Sequence, residues 1–236
     1  MTGKERAYRA FEWFRRERPV VETELHYRTP FELVVAVVLS AQCTDVRVNM
    51  ITPGLFKSYP TAAFMKNARE EDLFDLIRSV TYPNSKAKHL IALSKMIDEE
   101  YGGKVPETFG ELIRLPGVGR KTANVLLSVL FKEPTIAVDT HVYRVSRRIG
   151  LVPLSANTPA KVEQKLLTVV PGEYLDNAHH WLLLHGRYTC TARKPACETC
   201  GLADICRFYA KTALNEGSSS KTAPRTPSTS KSGSTL

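Results

Sequence analysis

Leu115-Pro116-Gly117-Val118-Gly119-Arg120-Lys121, running on as Thr122-Ala123-Asn124-Val125-Leu126-Leu127, is the stretch that decides the reading of this 236-residue chain. A helix over Glu107 to Arg114 is predicted before it. From Arg120 to Phe131, Ala123, Leu126, Leu127 and Leu130 recur at the i, i+3, i+4, i+7 spacing of a buried helical face. Helix, Leu-Pro-Gly-Val-Gly turn, helix is the expected local fold. Gly117 and Gly119 let the backbone turn sharply and come close to a ligand. The N–H groups freed along Gly117, Val118, Gly119 and Arg120 then point outward at the start of a helix, where the dipole favours an anion. Such a turn holds a phosphate backbone without reading bases.

Lys121 follows in the first helical turn. It is either a cation on phosphate or a nucleophile. A lysine attacks carbon only as the free amine, so the second role needs a depressed pKa. The positive end of its own helix, the neighbouring Arg120 and burial against bound DNA all act in that direction. A nucleophilic amine also needs a nearby anion. Asp139, in Ile136-Ala-Val-Asp139-Thr-His141, is the candidate, and it stands where a helix N-cap is expected. The two roles are compatible.

Around this stretch the chain reads as helices with short connections. Lys4 to Arg18 carries Tyr8, Phe11 and Phe14 on one face. Thr29-Pro30-Phe31-Glu32 looks like a capping box opening a buried helix through Leu39. Thr44 or Asp45 caps the next helix, and Pro53-Gly54 is expected to close it. Glu70 to Val80 gives another, and Ser85 is expected to cap Lys86 to Tyr101 after a Thr81–Ser85 turn. A helix from Asp139 to Gly150 follows, then one from Thr158-Pro159 to Pro171, then Glu173 to His185, closed by Gly186. No segment alternates with period two, so the fold class is all-α.

The net charge is +9 and the pI about 9.4. Residues 215–236 hold Lys221, Arg225 and Lys231 against Glu216, so +7 remains on residues 1–214. A basic folded part suits a polyanion. The Ser-, Thr- and Pro-rich stretch 215–236 is expected to be a disordered tail. No apolar run reaches membrane-spanning length and no signal peptide is evident, so no membrane partner and a cytoplasmic, nucleoid-associated location with reduced thiols are expected.

Four of the five cysteines, Cys190, Cys197, Cys200 and Cys206, form a C-x6-C-x2-C-x5-C run. Four thiols this close in a reducing compartment point to a metal site. Spacing leaves structural zinc and a 4Fe–4S cluster both open. Arg193 and Lys194, between the first two, are candidates for phosphate contact. Cys43 reads as a small core residue and Trp181 as core. Arg144, Arg147 and Arg148 form either a DNA-facing basic surface or a solvated helix face. His141 is a weak candidate for the pocket. His179, His180 and His185 read as packing residues near the cysteines.

Together the hairpin Leu115–Lys121, the Ile136-Ala-Val-Asp139-Thr-His141 segment, Leu39-Ser-Ala-Gln42-Cys-Thr-Asp45 and His185-Gly-Arg-Tyr-Thr-Cys190 with its three following cysteines resemble endonuclease III, the iron–sulfur branch of the helix-hairpin-helix Gly/Pro-Asp DNA glycosylases. The resemblance covers about residues 5–210. It implies two helical domains with a cleft between them, here residues 22–133 and residues 1–21 plus 134–214. It implies a 4Fe–4S cluster on the four cysteines and a monomer. The implied partner is duplex DNA containing oxidised pyrimidines or abasic sites. The implied activity is that of a bifunctional glycosylase and abasic-site lyase, with Lys121 as the Schiff-base lysine and Asp139 as its essential aspartate. Gln42 matches the residue that fills the gap left by the extruded nucleotide. The related adenine glycosylases lack a lysine at the position of Lys121. Thr81-Tyr82-Pro83 departs from the family's Gly-hydrophobic-Tyr pattern, and Tyr82 is expected to take the second wedge role.

Overall fold

The computed structural model describes residues 1–212, so the expectation for the tail lies outside the described residues. Within them the chain is helical with no strand. The helices are α1 (Gly3–Glu17), α2 (Pro30–Ser40), α3 (Asp45–Ser58), α4 (Ala62–Met65), α5 (Glu70–Ile77), α6 (Pro83–Tyr101), α7 (Phe109–Leu112), α8 (Arg120–Phe131), α9 (Thr140–Ile149), α10 (Pro159–Val169) and α11 (Leu175–Tyr188). Short 3-10 turns occupy Gly172–Tyr174 and Ala203–Ile205.

Two hydrophobic cores organise these elements. The first draws on residues 25–127. Its axis is α2, whose residues Phe31 to Leu39 are all buried because α3, α6 and α8 surround it. A helix apolar on all sides can stand only at the centre of a bundle. The second core joins Ala7, Ala10, Phe11 and Phe14 of α1 to residues 136–205. Phe14 stacks on Trp181 with centroids 6.3 Å apart, and the Trp181 indole N–H donates to the Arg18 carbonyl at 2.8 Å. The chain thus begins in one unit, crosses over residues 18–28 to build the other, and returns through residues 132–139.

Caps explain most helix starts. Thr29, Thr44 and Thr158 each accept from the backbone N–H three residues on. The box expected at Thr29 is half formed. Glu32 turns instead to Arg28, taking its backbone N–H at 2.7 Å and its guanidinium at 2.8 Å.

Four expectations are corrected. α3 runs through Pro53 and Gly54 to Ser58. Burial of Leu55 and Phe56 beyond the proline outweighs the lost hydrogen bond. α6 begins at Pro83, whose fixed φ suits the first helical position, with Tyr82 rather than Ser85 before it. The segment before the hairpin is a single turn, Phe109–Leu112, not a helix from 107 to 114. α11 continues past Gly186 to Tyr188, and that glycine serves packing.

Candidate functional site

The hairpin turn has the geometry its sequence asks for. Gly117 has φ +82°, and a Cβ there would sit 3.1 Å from the Cβ of His89 on α6. Gly119 is extended, with open space where a side chain would be. As N-cap of α8 it offers no side-chain acceptor. The Val118 N–H is used inside the turn, donating to the Leu115 carbonyl at 3.0 Å, and the Val118 side chain is buried. The first N–H claimed by α8 is that of Ala123, which donates to Gly119. The N–H groups of Gly117, Gly119, Arg120 and Lys121 therefore have no acceptor among the described residues, and they stand at a positive helix end.

Beside this turn lies a cleft of about 930 Å³ walled by both cores. Lys121, Asp139 and Gln42 all line it, so three sequence-predicted residues from three separate segments meet there. Lys121 is exposed in the first turn of α8. Asp139 caps α9, its Oδ1 accepting the Val142 N–H at 2.7 Å, which fixes the carboxylate at the cleft wall. His141 also lines the cleft.

His179 and His180 belong to this cleft rather than to the cysteine region, where only His185 lies. His179 was not predicted as a site residue. Its Nδ1 lies 2.7 Å from the Ala137 carbonyl. A carbonyl only accepts, so Nδ1 carries the proton and Nε2 is left as an acceptor, with no partner among the described residues. Burial holds this imidazole below its ordinary pKa, opposed by the Asp139 charge and the Ala137 carbonyl. His180 beside it is pushed down to about 3, by burial first and then by His179. α11 is buried all round from Ala178 to Gly186, so no amphipathic stripe in the sequence marks its cleft-facing side.

A charged network closes one edge of the cleft. Arg187 on α11 donates to Asp45 at the start of α3, at 2.8 Å, and also pairs with Glu24 on the 18–28 crossover. The Tyr188 hydroxyl donates to Glu24 at 2.6 Å. Gln42 has φ +56°, a left-handed conformation, and is exposed. Tyr82, also at φ +56°, does not line the cleft, but it is 63% exposed beside it. The neighbouring Thr81 hydroxyl donates to the Gln42 carbonyl at 2.7 Å, so the two loops are joined.

Several basic residues read as DNA-facing have partners within the protein. Arg120 forms a two-pronged pair with Glu163 of α10, at 2.7 and 3.0 Å, and stacks over Phe109. It links the hairpin to the second core, and Glu163 offsets the charge it was expected to bring to Lys121. Arg144 donates to the Gly186 carbonyl at 2.8 Å and the Cys190 carbonyl at 3.1 Å. Arg147 binds the Leu154 and Ala156 carbonyls, and Arg148 those of Thr191 and Ala192. These three do not form a merely solvated face, since their guanidiniums satisfy the carbonyls of neighbouring loops. Arg193 and Lys194 are exposed, as expected for phosphate contact.

Cys190, Cys197, Cys200 and Cys206 line one narrow cavity closed by Ile149, His185, Leu202 and Phe208. Burial, and then the neighbouring cysteines, push the thiols of Cys197 and Cys200 up, so thiolates here need a shared cation. Four sulfurs around one cavity can hold a metal centre. Arg148 Nη1 lies 3.5 Å from the Cys190 sulfur and His185 Nε2 3.7 Å from that of Cys200, contacts that suit bound thiolates.

Comparison with known proteins agrees with this geometry. The profile of the HhH-GPD superfamily of base excision DNA repair proteins matches residues 35–172. That of the iron–sulfur binding domain of endonuclease III matches residues 190–206, the cysteine run itself. Endonuclease III of Rickettsia felis is 50% identical over 199 residues, covering 84% of this chain and 92% of the relative. That of Escherichia coli K12 is 47% identical over 197 residues, with the same shares. A solved structure of a trapped endonuclease III–DNA covalent intermediate superposes with a TM-score of 0.84 at 41% identity, over 90% of this chain and all of the other. With the profile spanning more than half its length and relatives at half identity along most of it, the chain belongs to the endonuclease III family of helix-hairpin-helix base excision DNA repair proteins.

Proposed function

We infer that the chain is a bifunctional DNA glycosylase and abasic-site lyase of base-excision repair, acting as a monomer on duplex DNA that carries oxidised pyrimidines or abasic sites. One observation carries the reading: Lys121 and Asp139, on helices of different cores, line a single cleft beside an uncapped hairpin turn. The free N–H groups of the turn take a phosphate and set the strand along the cleft mouth. The damaged nucleotide leaves the stack and enters the cleft, and Gln42 fills the gap. The Lys121 amine attacks C1′; a carbon–nitrogen bond forms as the bond to the base breaks, and the base leaves with a proton. The nitrogen lone pair then opens the sugar ring: the C1′–O4′ bond breaks, O4′ takes up a proton, and C1′=N forms as the protonated imine. Removal of a C2′ proton then expels the 3′ phosphate by β-elimination. Asp139, oriented by its cap, balances the positive charge that develops on the sugar and nitrogen.

The four cysteines hold the 4Fe–4S cluster, which supplies a covalent staple for the 190–206 loop. That staple presents Arg193 and Lys194 to the backbone. The division into residues 22–133 and residues 1–21 plus 134–214 is supported, within the described residues, by the two separate hydrophobic cores. The described residues include no helix long and apolar enough to cross a membrane, in keeping with action on DNA in the cytoplasm.

Borohydride reduction during turnover on a duplex containing thymine glycol tests the chemistry. Wild type yields a covalent protein–DNA adduct and Lys121→Gln yields none. Active wild-type protein that releases base without an adduct or strand cleavage would reduce Lys121 to a phosphate contact and overturn the lyase assignment.

A further inference from the structure

Lys86 is a buried cation outside the catalytic pair. It sits on the apolar stripe of α6 and is 5% exposed. Its Nζ donates to the Leu39 carbonyl at 2.8 Å and to the Ala41 carbonyl at 2.7 Å. These carbonyls lie at the C-terminal end of α2, immediately before Gln42.

The last carbonyls of a helix have no partner within it, and a buried end must find them elsewhere. At α2 each one is accounted for. Val37 accepts from the Ser40 hydroxyl at 2.9 Å, Val38 from the Ala41 N–H at 3.3 Å, and Ser40 from the Cys43 N–H at 3.0 Å. Leu39 has Lys86, and so does Ala41, the first residue beyond the helix. The Gln42 carbonyl has the Thr81 hydroxyl at 2.7 Å. Every carbonyl from Val37 to Gln42 is thus held, two of them by one ammonium, which also meets the negative end of the α2 dipole. Gln42 itself is left-handed, a conformation that a non-glycine residue keeps only where its surroundings impose it.

We propose that Lys86 is the positioning residue of the wedge: by gripping the Leu39 and Ala41 carbonyls it fixes the backbone that aims Gln42 into the gap left by the extruded nucleotide. The proposal rests on the wedge role given to Gln42 above. Thr81 holds the other side of the same residue and ties it to the Tyr82 loop. Lys86 touches neither the sugar nor the base, so its effect falls on extrusion. An intact damaged base must be unpaired and unstacked before attack, whereas an abasic site has no base to unstack. Loss of the grip therefore weakens base release much more than strand cleavage at a site that is already abasic.

The test uses the full chain with its cluster. Single-turnover rates are measured on two duplexes, one with thymine glycol and one with a preformed abasic site. Lys86→Met removes the donors while keeping the length and apolar stem. Its rate on thymine glycol falls by about tenfold or more relative to its rate on the abasic duplex, a modest share of the extrusion cost. Lys86→Arg, which restores donors, recovers most of the loss. Thr81→Val, at a half-buried position, gives a smaller skew in the same direction and covers the case in which Lys86→Met does not fold. Equal losses on the two duplexes, as general destabilisation produces, overturn the proposal; so do unchanged rates in Lys86→Met. Wild type inactive on both duplexes refutes the proposed function instead.

Discussion

Gly117 and Gly119 stand two residues apart and lack a Cβ for different reasons. Gly117 needs its glycine for the fold: φ is +82° and His89 is 3.1 Å from the position of a Cβ. At Gly119 the fold makes no such demand, since its backbone is extended and nothing lies within 4 Å, which leaves room for the proposed phosphate contact. Alanine at 117 costs about 1–3 kcal/mol of stability, from the strained φ and the contact with His89. Alanine at 119 leaves the melting curve unchanged but weakens DNA binding, because its methyl group stands where phosphate approaches. Denaturant melts and DNA titrations of the two variants separate the effects. The same scale shows what residue type alone leaves unread. Arg120, Arg144, Arg147 and Arg148 look like a nucleic-acid surface in the sequence, yet each is held by a carboxylate or by loop carbonyls. Whether an arginine is free depends on what the fold sets beside it.

Among the elements, the crossing of α9 and α11 governs the placement of Asp139. Gly186 lies in α11 where it crosses α9, and a Cβ there would meet the His141 Cβ at 2.8 Å and the Val145 side chain at 3.1 Å. The neighbouring carbonyl of Gly186 takes Arg144 at 2.8 Å, which ties the two helices together. Gly186→Ala pushes α9 away, and with it Asp139 at its N-terminus. The expected loss is about 1–3 kcal/mol of stability from overpacking. The yield of borohydride-trapped adduct falls further than the residual folded fraction explains. Yield that only tracks the folded fraction would separate the crossing from the placement of Asp139. α6 carries a second lesson. Lys86 shares its buried stripe with Ala87, Leu90, Leu93 and Ile97, and a lysine in that register is a sequence signal for a buried cap.

At the scale of the whole molecule, two cores meet along a cleft, and the cleft wall contains buried imidazoles. The ring of His180 is held at about 3, against an ordinary value near 6.5, by burial first and then by His179. A depressed folded value means that the unfolded chain binds this proton first as pH falls. The stability from burying the neutral ring is complete above pH 6.5 and is lost between pH 6.5 and about 3. Between pH 6.5 and 5 the loss from this group is about 2 kcal/mol. His180→Gln, compared with wild type by denaturant melts at pH 7 and pH 5, shows a smaller decline. An equal decline in both proteins would falsify the assignment of the slope to His180. The charges that join the cores, Arg187 with Asp45 and Glu24, and Arg120 with Glu163, bracket the same cleft.

The sequence by itself determined what is local. Apolar periodicity and threonine caps fixed the helices, because a helix is written in residues three and four apart. The Leu-Pro-Gly-Val-Gly turn, the Asp139 cap and the four-cysteine run were legible for the same reason: each chemistry is confined to a short spacing. Helix ends at Pro53, Tyr82 and Gly186 were not, since burial of Leu55 and Phe56 or the crossing with α9 outweighs local preference there. Only the tertiary structure decided which distant side chains meet. Lys121, Asp139, Gln42 and His179 share a cleft because α8, α9, α11 and the end of α2 converge on it from two cores. Four arginines have protein partners because carboxylates and carbonyls remote in sequence, or beyond the reach of pattern, lie beside them. Pairing across the fold depends on packing geometry, and no spacing within a single helix encodes it.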